Sequence, residues 1–468
     1  MRNAHPLYQC YPAVVPVGKE TTVTIFPRDI SRRFRNDTTY QIAILGLQDP
    51  EAEYYSTPEH DVPCYVQDGC LLFSYRFNKE QEYKIFFRAE GESSTKISLY
   101  AVEQDLYQLR PLKGDLHSHS YYSDGLNGTA MVPANYREEG FDFFALTDHN
   151  RMLTSRCAMA LYKDIPLGIH MMTGEEVHTP NSTLHIVHVG GNHSVCEQYI
   201  HQREAYEEQV DKIAETLTHI PEEYRRKLAM AKWATQKIRE AGGISILAHP
   251  FWQCRRFNVS SDFQEIVFAE KMFDAFELMG GIPDKHNNLQ LNLWHAQCMK
   301  GNGLSVVGSS DSHNHDFAKT AFARRFTVVF AKSNTTADIL DAIRKGYSVA
   351  AELPPNNDEA VRFYGDLRLV LFAHFLFENY FDETWRLCIG EGILMRRYAE
   401  GEDVAEALGA MANTVENFYK KFYGITPAPR LSPERMAYLD ECLEQQRTVG
   451  PVTKGAALYI YANNGRRE

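Results

Sequence analysis

Gly114-Asp115-Leu116-His117-Ser118-His119-Ser120-Tyr121-Tyr122-Ser123-Asp124-Gly125 carries the chain from an apolar segment into a polar loop. A strand alternates its side chains between faces, so His117 and His119 point the same way. Two imidazoles on one face at a strand's end can grip a divalent ion, and Asp124 in the loop can reach the same site or a neighbouring one. For an isolated His-x-His pair, two solvated surface histidines are the commoner reading. What other strand ends carry decides between the two.

Further clusters follow in order. Thr147-Asp148-His149-Asn150 comes straight after the apolar run Phe143–Leu146. Gly174-Glu175-Glu176-Val177-His178 follows Met171–Thr173, and Leu184-His185-Ile186-Val187-His188-Val189-Gly190 comes next. His249-Pro250 ends the apolar run Ile244–Ala248, and Gly308-Ser309-Ser310-Asp311-Ser312-His313 follows Leu304–Val307, with His315 just beyond. Ala275–Leu278 holds Glu277, and Phe326–Phe330 is a further strand. Helical patterns such as Pro221–Ala241 and Thr336–Lys345 alternate with these runs, the latter capped in the region of Thr335 to Asp338. Repeated β-then-α units imply a parallel sheet closed into a barrel of the TIM type, whose chemistry sits at the carboxyl ends of the strands. His, Asp and Glu delivered to converging strand ends, with no thiolates among them, are the donors of Zn, Mn and Fe sites. Either Glu175 or Glu176 could bridge two ions, and Glu176 is preferred.

The ordered set Asp-Leu-His-x-His-Ser-x-x-Ser-Asp-Gly, Thr-Asp-His-Asn, Gly-x-Glu-Val, His-x-x-x-x-Gly, Leu-Ala-His-Pro and Gly-Ser-x-Asp-x-His resembles the polymerase and histidinol phosphatase (PHP) superfamily over about residues 113–350. The resemblance implies a distorted (β/α)7 barrel holding up to three divalent metals. It places His117, His119 and Asp311 on a first ion and His185 and His249 on a second, with Glu176 bridging the two. Asp124, His149 and His313 fall to a third. Glu175 beside Glu176, and His188 beside His185, leave room for a shift. His185 keeps the family's spacing to Gly190. Asp115, Asp148, His188 and His315 are then candidates to orient the imidazoles, and so is Glu277. The implied activity is hydrolysis of a small-molecule phosphate ester by a metal-activated hydroxide. Arg151, Arg255 and Arg256 are candidates to bind the phosphate, and no general acid is identified. The alternatives are an amidohydrolase-like attack on amides or lactones, or a metal-stabilised binding protein without catalysis.

Composition sets the surroundings. The 468 residues carry a formal net charge of -12, which disfavours a nucleic-acid surface. A proofreading nuclease is disfavoured by the same charge, and no polymerase region accompanies the motifs. Nine dispersed cysteines without a Cys-x-x-Cys read as reduced thiols. Residues 1–20 hold no signal-like apolar stretch, and the apolar run Leu369–Phe377 is too short to span a bilayer. The expectation is a cytoplasmic protein with no membrane partner, its oligomeric state open. Period-two patterns at Val23 and Ile25, Phe73 to Phe77, Tyr83 to Phe87 and Ile97 to Ala101 predict an immunoglobulin-like β-sandwich over residues 1–110. The metal-dependent barrel is expected over 111–352 and a helical region over 353–468.

Overall fold

The computed structural model of the chain describes residues 5–49, 62–315, 322–354 and 361–448. Parts of the expected sandwich (50–61) and helical region (355–360 and 449–468) therefore lie outside the described residues. The described chain divides into two compact units, residues 5–101 with 421–448 and residues 102–420.

In the first unit the strands are β1 (Tyr8–Tyr11), β2 (Val14–Pro16), β3 (Glu20–Pro27), β4 (Tyr40–Gly46), β5 (Cys64–Gln67), β6 (Cys70–Arg76), β7 (Gln81–Ala89) and β8 (Thr95–Val102). They form two four-stranded sheets, ordered β1-β3-β6-β5 and β2-β8-β7-β4. Alternation buries Val23, Ile25 and Phe73 of one sheet and Ile85, Phe87 and Leu99 of the other. Rings from the two sheets meet, Tyr8 standing edge-on to Phe87 at 5.1 Å.

In the second unit the strands continue as β9 (Arg110–Asp115), β10 (Phe143–Ala145), β11 (His170–Met172), β12 (Gly174–His178), β13 (His185–Val189), β14 (Ile244–Leu247), β15 (Ala275–Met279), β16 (Ser305–Gly308), β17 (Arg325–Ala331), β18 (Ser348–Glu352) and β19 (Arg362–Tyr364). One sheet runs β11-β10-β9-β17-β18-β19 and the other β12-β13-β14-β15-β16. Residues 170–178 pass from the first sheet into the second with only Thr173 between the two strands.

Uniformly parallel β-then-α repeats are not what forms. The β9–β10–β11 and β14–β15–β16 pairings are parallel, but β13 is antiparallel to both its neighbours. The link from β12 to β13 is too short for a helical crossover, so the chain turns back on itself there. Strands β17, β18 and β19 also pair antiparallel, beginning against β9. The expected helical excursion is present as helices Cys196–His201, Arg203–Thr216 and Glu222–Glu240. Thr335 caps helix Thr336–Arg344 by accepting from the Asp338 amide.

Backbone hydrogen bonds tie the strand ends to one another. The Thr147 amide donates to the Ser118 carbonyl (2.8 Å), the Glu176 amide to Thr147 (3.0 Å) and the His119 amide to Ser312 (2.9 Å). The residues following β9, β10 and β16 and those within β12 are thereby held side by side. Below them lies an apolar layer that includes Leu116, Phe143, Val187, Ile246, Ala275 and Val307.

Helix Met131–Glu138 packs on helix Asp382–Ala399 around a buried ion pair. The Arg137 Nε donates to Glu391 (2.7 Å) and its Nη1 to the Phe141 carbonyl (2.9 Å), both charged side chains being fully buried. Removing one partner strands the other charge in a low-dielectric interior. The Glu391→Ala protein is therefore expected to lose about 3–5 kcal/mol of stability, read as a lower denaturant midpoint with little change in slope.

Candidate metal centre

Glu176 is the middle of the site, and strand geometry puts it there. Along β12, Glu175 and Glu176 face opposite ways. Glu175 turns outward to the His188 Nδ1 (2.9 Å), the Ser194 hydroxyl (2.5 Å) and the Val195 amide (2.6 Å). Glu176 turns inward, fully buried, among six imidazoles. Its Oε2 lies 3.4 Å from His117 Nε2, 3.6 Å from His119 Nε2 and 2.8 Å from His149 Nδ1. Its Oε1 lies 3.3 Å from His178 Nε2, 2.8 Å from His185 Nδ1 and 3.4 Å from His249 Nε2.

Asp311 is the second carboxylate, its Oδ1 3.0 Å from His119 Nε2 and 3.3 Å from His117 Nε2. Its Oδ2 is 3.8 Å from His249 Nε2. Asp124 gathers a third, more exposed group. Its Oδ2 is 3.2 Å from His149 Nε2, and its Oδ1 is 3.2 Å from His313 Nε2 and 3.9 Å from His119 Nδ1.

The donor set fits divalent cations. Both Glu176 oxygens, His117 Nε2 and His185 Nδ1 are buried with no hydrogen-bond partner. Leaving so many polar atoms unsatisfied in an interior is costly unless something else meets them. A four-coordinate ion with bonds of about 2.0–2.2 Å needs donors about 3.3 Å apart. The distances from His117 Nε2 and His119 Nε2 to the nearer oxygens of Glu176 and Asp311 run from 3.0 to 3.6 Å.

Electrostatics runs the same way. Burial alone would raise the Glu176 and Asp311 carboxyls, but the imidazoles beside them, His117 foremost, hold both well below the usual carboxylate range. Burial depresses His185 to about 4, so its ring is a neutral donor at physiological pH. His117 is buried too, yet Asp311, Glu176 and Glu277 push it well above its ordinary value. In the absence of cations, the carboxylates thus draw protons onto His117, His149 and His249, while burial keeps His119 and His185 below the ordinary imidazole value.

The supporting residues are specific. The His117 Nδ1 lies 2.8 Å from Glu277 Oε2, and donating there leaves Nε2 facing the centre as a lone pair. His313 Nδ1 does likewise with the Asp311 carbonyl at 2.8 Å. Asp148 accepts from the Ser123 hydroxyl (2.6 Å), which stands 3.4 Å from His119 Nδ1. Asp115 holds backbone rather than imidazole, accepting from the His117 and Ser310 amides and the Tyr136 hydroxyl. His188 touches no imidazole of the site, because it sits on the opposite face of β13 from His185 and bonds Glu175. His315 bonds Asn127 Oδ1 at 2.7 Å and packs against Phe322. Arg151, Arg255 and Arg256 are exposed, in the loops that follow His149 and His249.

The backbone is strained where ligand-type residues project. Asn150, His249 and Asp311 have φ of +54°, +24° and +48°, in the left-handed region that few non-glycine residues adopt and that costs about 1–3 kcal/mol each. Gly281 lets the Asp311 loop approach, since a Cβ there would stand 2.1 Å from the Ser310 carbonyl oxygen. His178 carries no role in the sequence reading. Strand alternation was the available signal, because two residues after Glu176 returns to the same face.

No protein-family model matches the chain. Among curated proteins, the DNA polymerase/3′-5′ exonuclease PolX of Bacillus subtilis strain 168 is 34% identical over 62 residues, 13% of this chain and 11% of that one. Similar solved structures include a two-domain protein from Bacteroides vulgatus containing a predicted PHP-like metal-dependent phosphoesterase. It is 20% identical with a TM-score of 0.36, covering 52% of this chain and 65% of the other. A candidate metal-dependent phosphoesterase from Bifidobacterium adolescentis is 18% identical with a TM-score of 0.31, over 43% of this chain and 87% of its own. An amidohydrolase from Chromobacterium violaceum, with sulfate bound and no metal, is 18% identical with a TM-score of 0.30 over the same shares. The chain thus spans about a tenth of the curated relative and 65% of the first structure. Likeness at these TM-scores specifies neither substrate nor reaction.

Proposed function

We infer that the chain is a metal-dependent hydrolase that cleaves a phosphate ester of a small molecule. The observation that carries this reading is Glu176, whose two buried oxygens lack hydrogen-bond partners while six imidazoles surround them. The ligands assigned on this reading are His117, His119, Asp311, Glu176, His185, His249, Asp124, His149 and His313. Bound divalent ions, as Zn, Mn or Fe and up to three, supply cationic charge against phosphoryl oxygens and lower the pKa of water at the site.

The chain's own residues do the rest. Glu176 and Asp311 place two fixed negative charges where cations are to be held, and the buried rings of His117 and His119 exclude bulk water from them. Glu277 fixes the His117 tautomer, and Ser123, held by Asp148, positions the His119 ring. Arg151, Arg255 and Arg256 offer planar forks for phosphate oxygens. The strand ends belong to a distorted (β/α)7 barrel in this reading, over residues 111–352. The β domain at 1–110 and the helices at 353–468 flank it, and the protein works in the cytoplasm. Among the described residues, no helix is long and apolar enough to cross a membrane.

The test is a panel of phosphate esters, amides and lactones, run with protein loaded with Mn, Zn or Fe and with chelated protein. Turnover of a phosphate monoester or diester that is lost on chelation and restored by metal is the expected result. Metal-loaded protein that cleaves only amides or lactones would replace the phosphoesterase reading with the amidohydrolase-like one. Loaded protein inert to all three classes would favour the non-catalytic alternative.

A further inference from the structure

Around Glu176, His178 is the imidazole that the PHP-like motifs leave unassigned. Its Nε2 stands 3.3 Å from Glu176 Oε1 and 3.2 Å from His149 Nδ1, and that same His149 atom is 2.8 Å from Glu176 Oε2. Two imidazole nitrogens and a carboxylate thus close a small triangle of possible ligand atoms. The two separations from His178 Nε2, 3.3 Å to Glu176 Oε1 and 3.2 Å to His149 Nδ1, are close to the spacing of about 3.3 Å that donors to one ion require, and the three ligand atoms lie within 4.8 Å of one another.

The placement is built rather than incidental. The His178 amide donates to Asn150 Oδ1 (2.9 Å), and its carbonyl accepts from the Tyr199 hydroxyl (2.9 Å). Asn150 itself is held at φ +54°, and the His178 ring stacks on His185 with centroids 3.8 Å apart. His149 also has two faces to offer. Its Nε2 looks toward Asp124 and its Nδ1 toward Glu176 and His178.

The geometry points to His178 as a further metal ligand, holding a divalent cation together with Glu176 and the Nδ1 of His149. The inference rests on the metal-centre reading above and adds a position to it. His149 keeps its Nε2 toward Asp124 while its Nδ1 faces Glu176 and His178, so the ion nearest Glu176 gains imidazole donors without emptying the Asp124 group. His178 is about one-quarter exposed, so the position is open enough to admit an ion from solvent.

The experiment compares wild-type, His178→Ala, His178→Cys and Glu176→Gln proteins, each folded by circular dichroism, titrated with Co2+ and assayed for metal content. His178→Ala is expected to bind one ion fewer per chain, or to bind its weakest ion at least tenfold less tightly. His178→Cys is expected to show a sulfur-to-cobalt charge-transfer band absent from the wild type. An unchanged ion count and affinity in His178→Ala, with no such band in His178→Cys, would overturn the inference. Should Glu176→Gln lose ions while both His178 proteins behave as wild type, only the His178 assignment fails. Unchanged binding in Glu176→Gln would sink the metal centre itself, and this inference with it.

Discussion

Glu176→Gln is expected to lose bound metal and turnover together while remaining folded. The substitution keeps the size and shape of the side chain and removes only its charge, in a position fully buried among six imidazoles. Because Oε1 and Oε2 face different imidazoles, one substitution weakens more than one ion. A loss of about 4 kcal/mol or more in transition-state stabilisation, ~10³-fold in kcat/KM, is expected, with the ion count falling in parallel. The check is elemental analysis beside kinetics on the same preparations. Retained metal in the Gln protein would remove Glu176 from the ligand set and contradict the metal-centre reading.

His119→Ala carries the second large expectation. His119 contributes to two groups at once, through Nε2 toward Asp311 and Nδ1 toward Asp124. Removing it leaves Asp311 a buried carboxylate with one imidazole fewer, so cations must be held by a weaker donor set. A fall in kcat/KM of at least ~10²-fold, about 3 kcal/mol, is expected. The informative control is His188→Ala. His188 is equally buried but bonds Glu175 on the other face of its strand. Its loss leaves a buried carboxylate short of a partner and should cost about 3 kcal/mol of stability or more while leaving ion count unchanged. Two histidines three residues apart in the 185–188 stretch thus separate by face, His185 toward Glu176 and His188 away from it.

Much of this site was legible because strands alternate and strand ends converge. His117 and His119 on one face, and Asp311 and His249 at the ends of apolar runs, follow from that geometry, whereas the choice of Glu176 over Glu175 rests on the resemblance to the Gly-x-Glu-Val motif. The runs at 143–146, 244–248 and 275–278 are strands in the structure within a residue or so at each end. What stayed hidden depended on partners distant in sequence. Nothing local marks β13 as antiparallel to β14, because their pairing is decided by where the long helical excursion returns the chain. Strand β18 went unread because small residues such as Ala350 and Ala351 carry no strong period, and β19 fell inside the helical region expected over 353–468, where the structure instead pairs it with β18. His178 was overlooked although it obeys the same alternation as His119, since only the fold brings His149 and His185 beside it. The left-handed φ of Asn150, His249 and Asp311 is likewise a tertiary fact, imposed by the loops around them.

The most direct test of the central claim is the metal content of wild-type protein, reconstituted with Mn, Zn or Fe and freed of excess, beside Glu176→Gln treated identically. Two or more ions per wild-type chain and a clear deficit in the Gln protein are the predicted result. A wild-type chain that retains no divalent ion, or a Gln protein that retains as many as wild type, would contradict it.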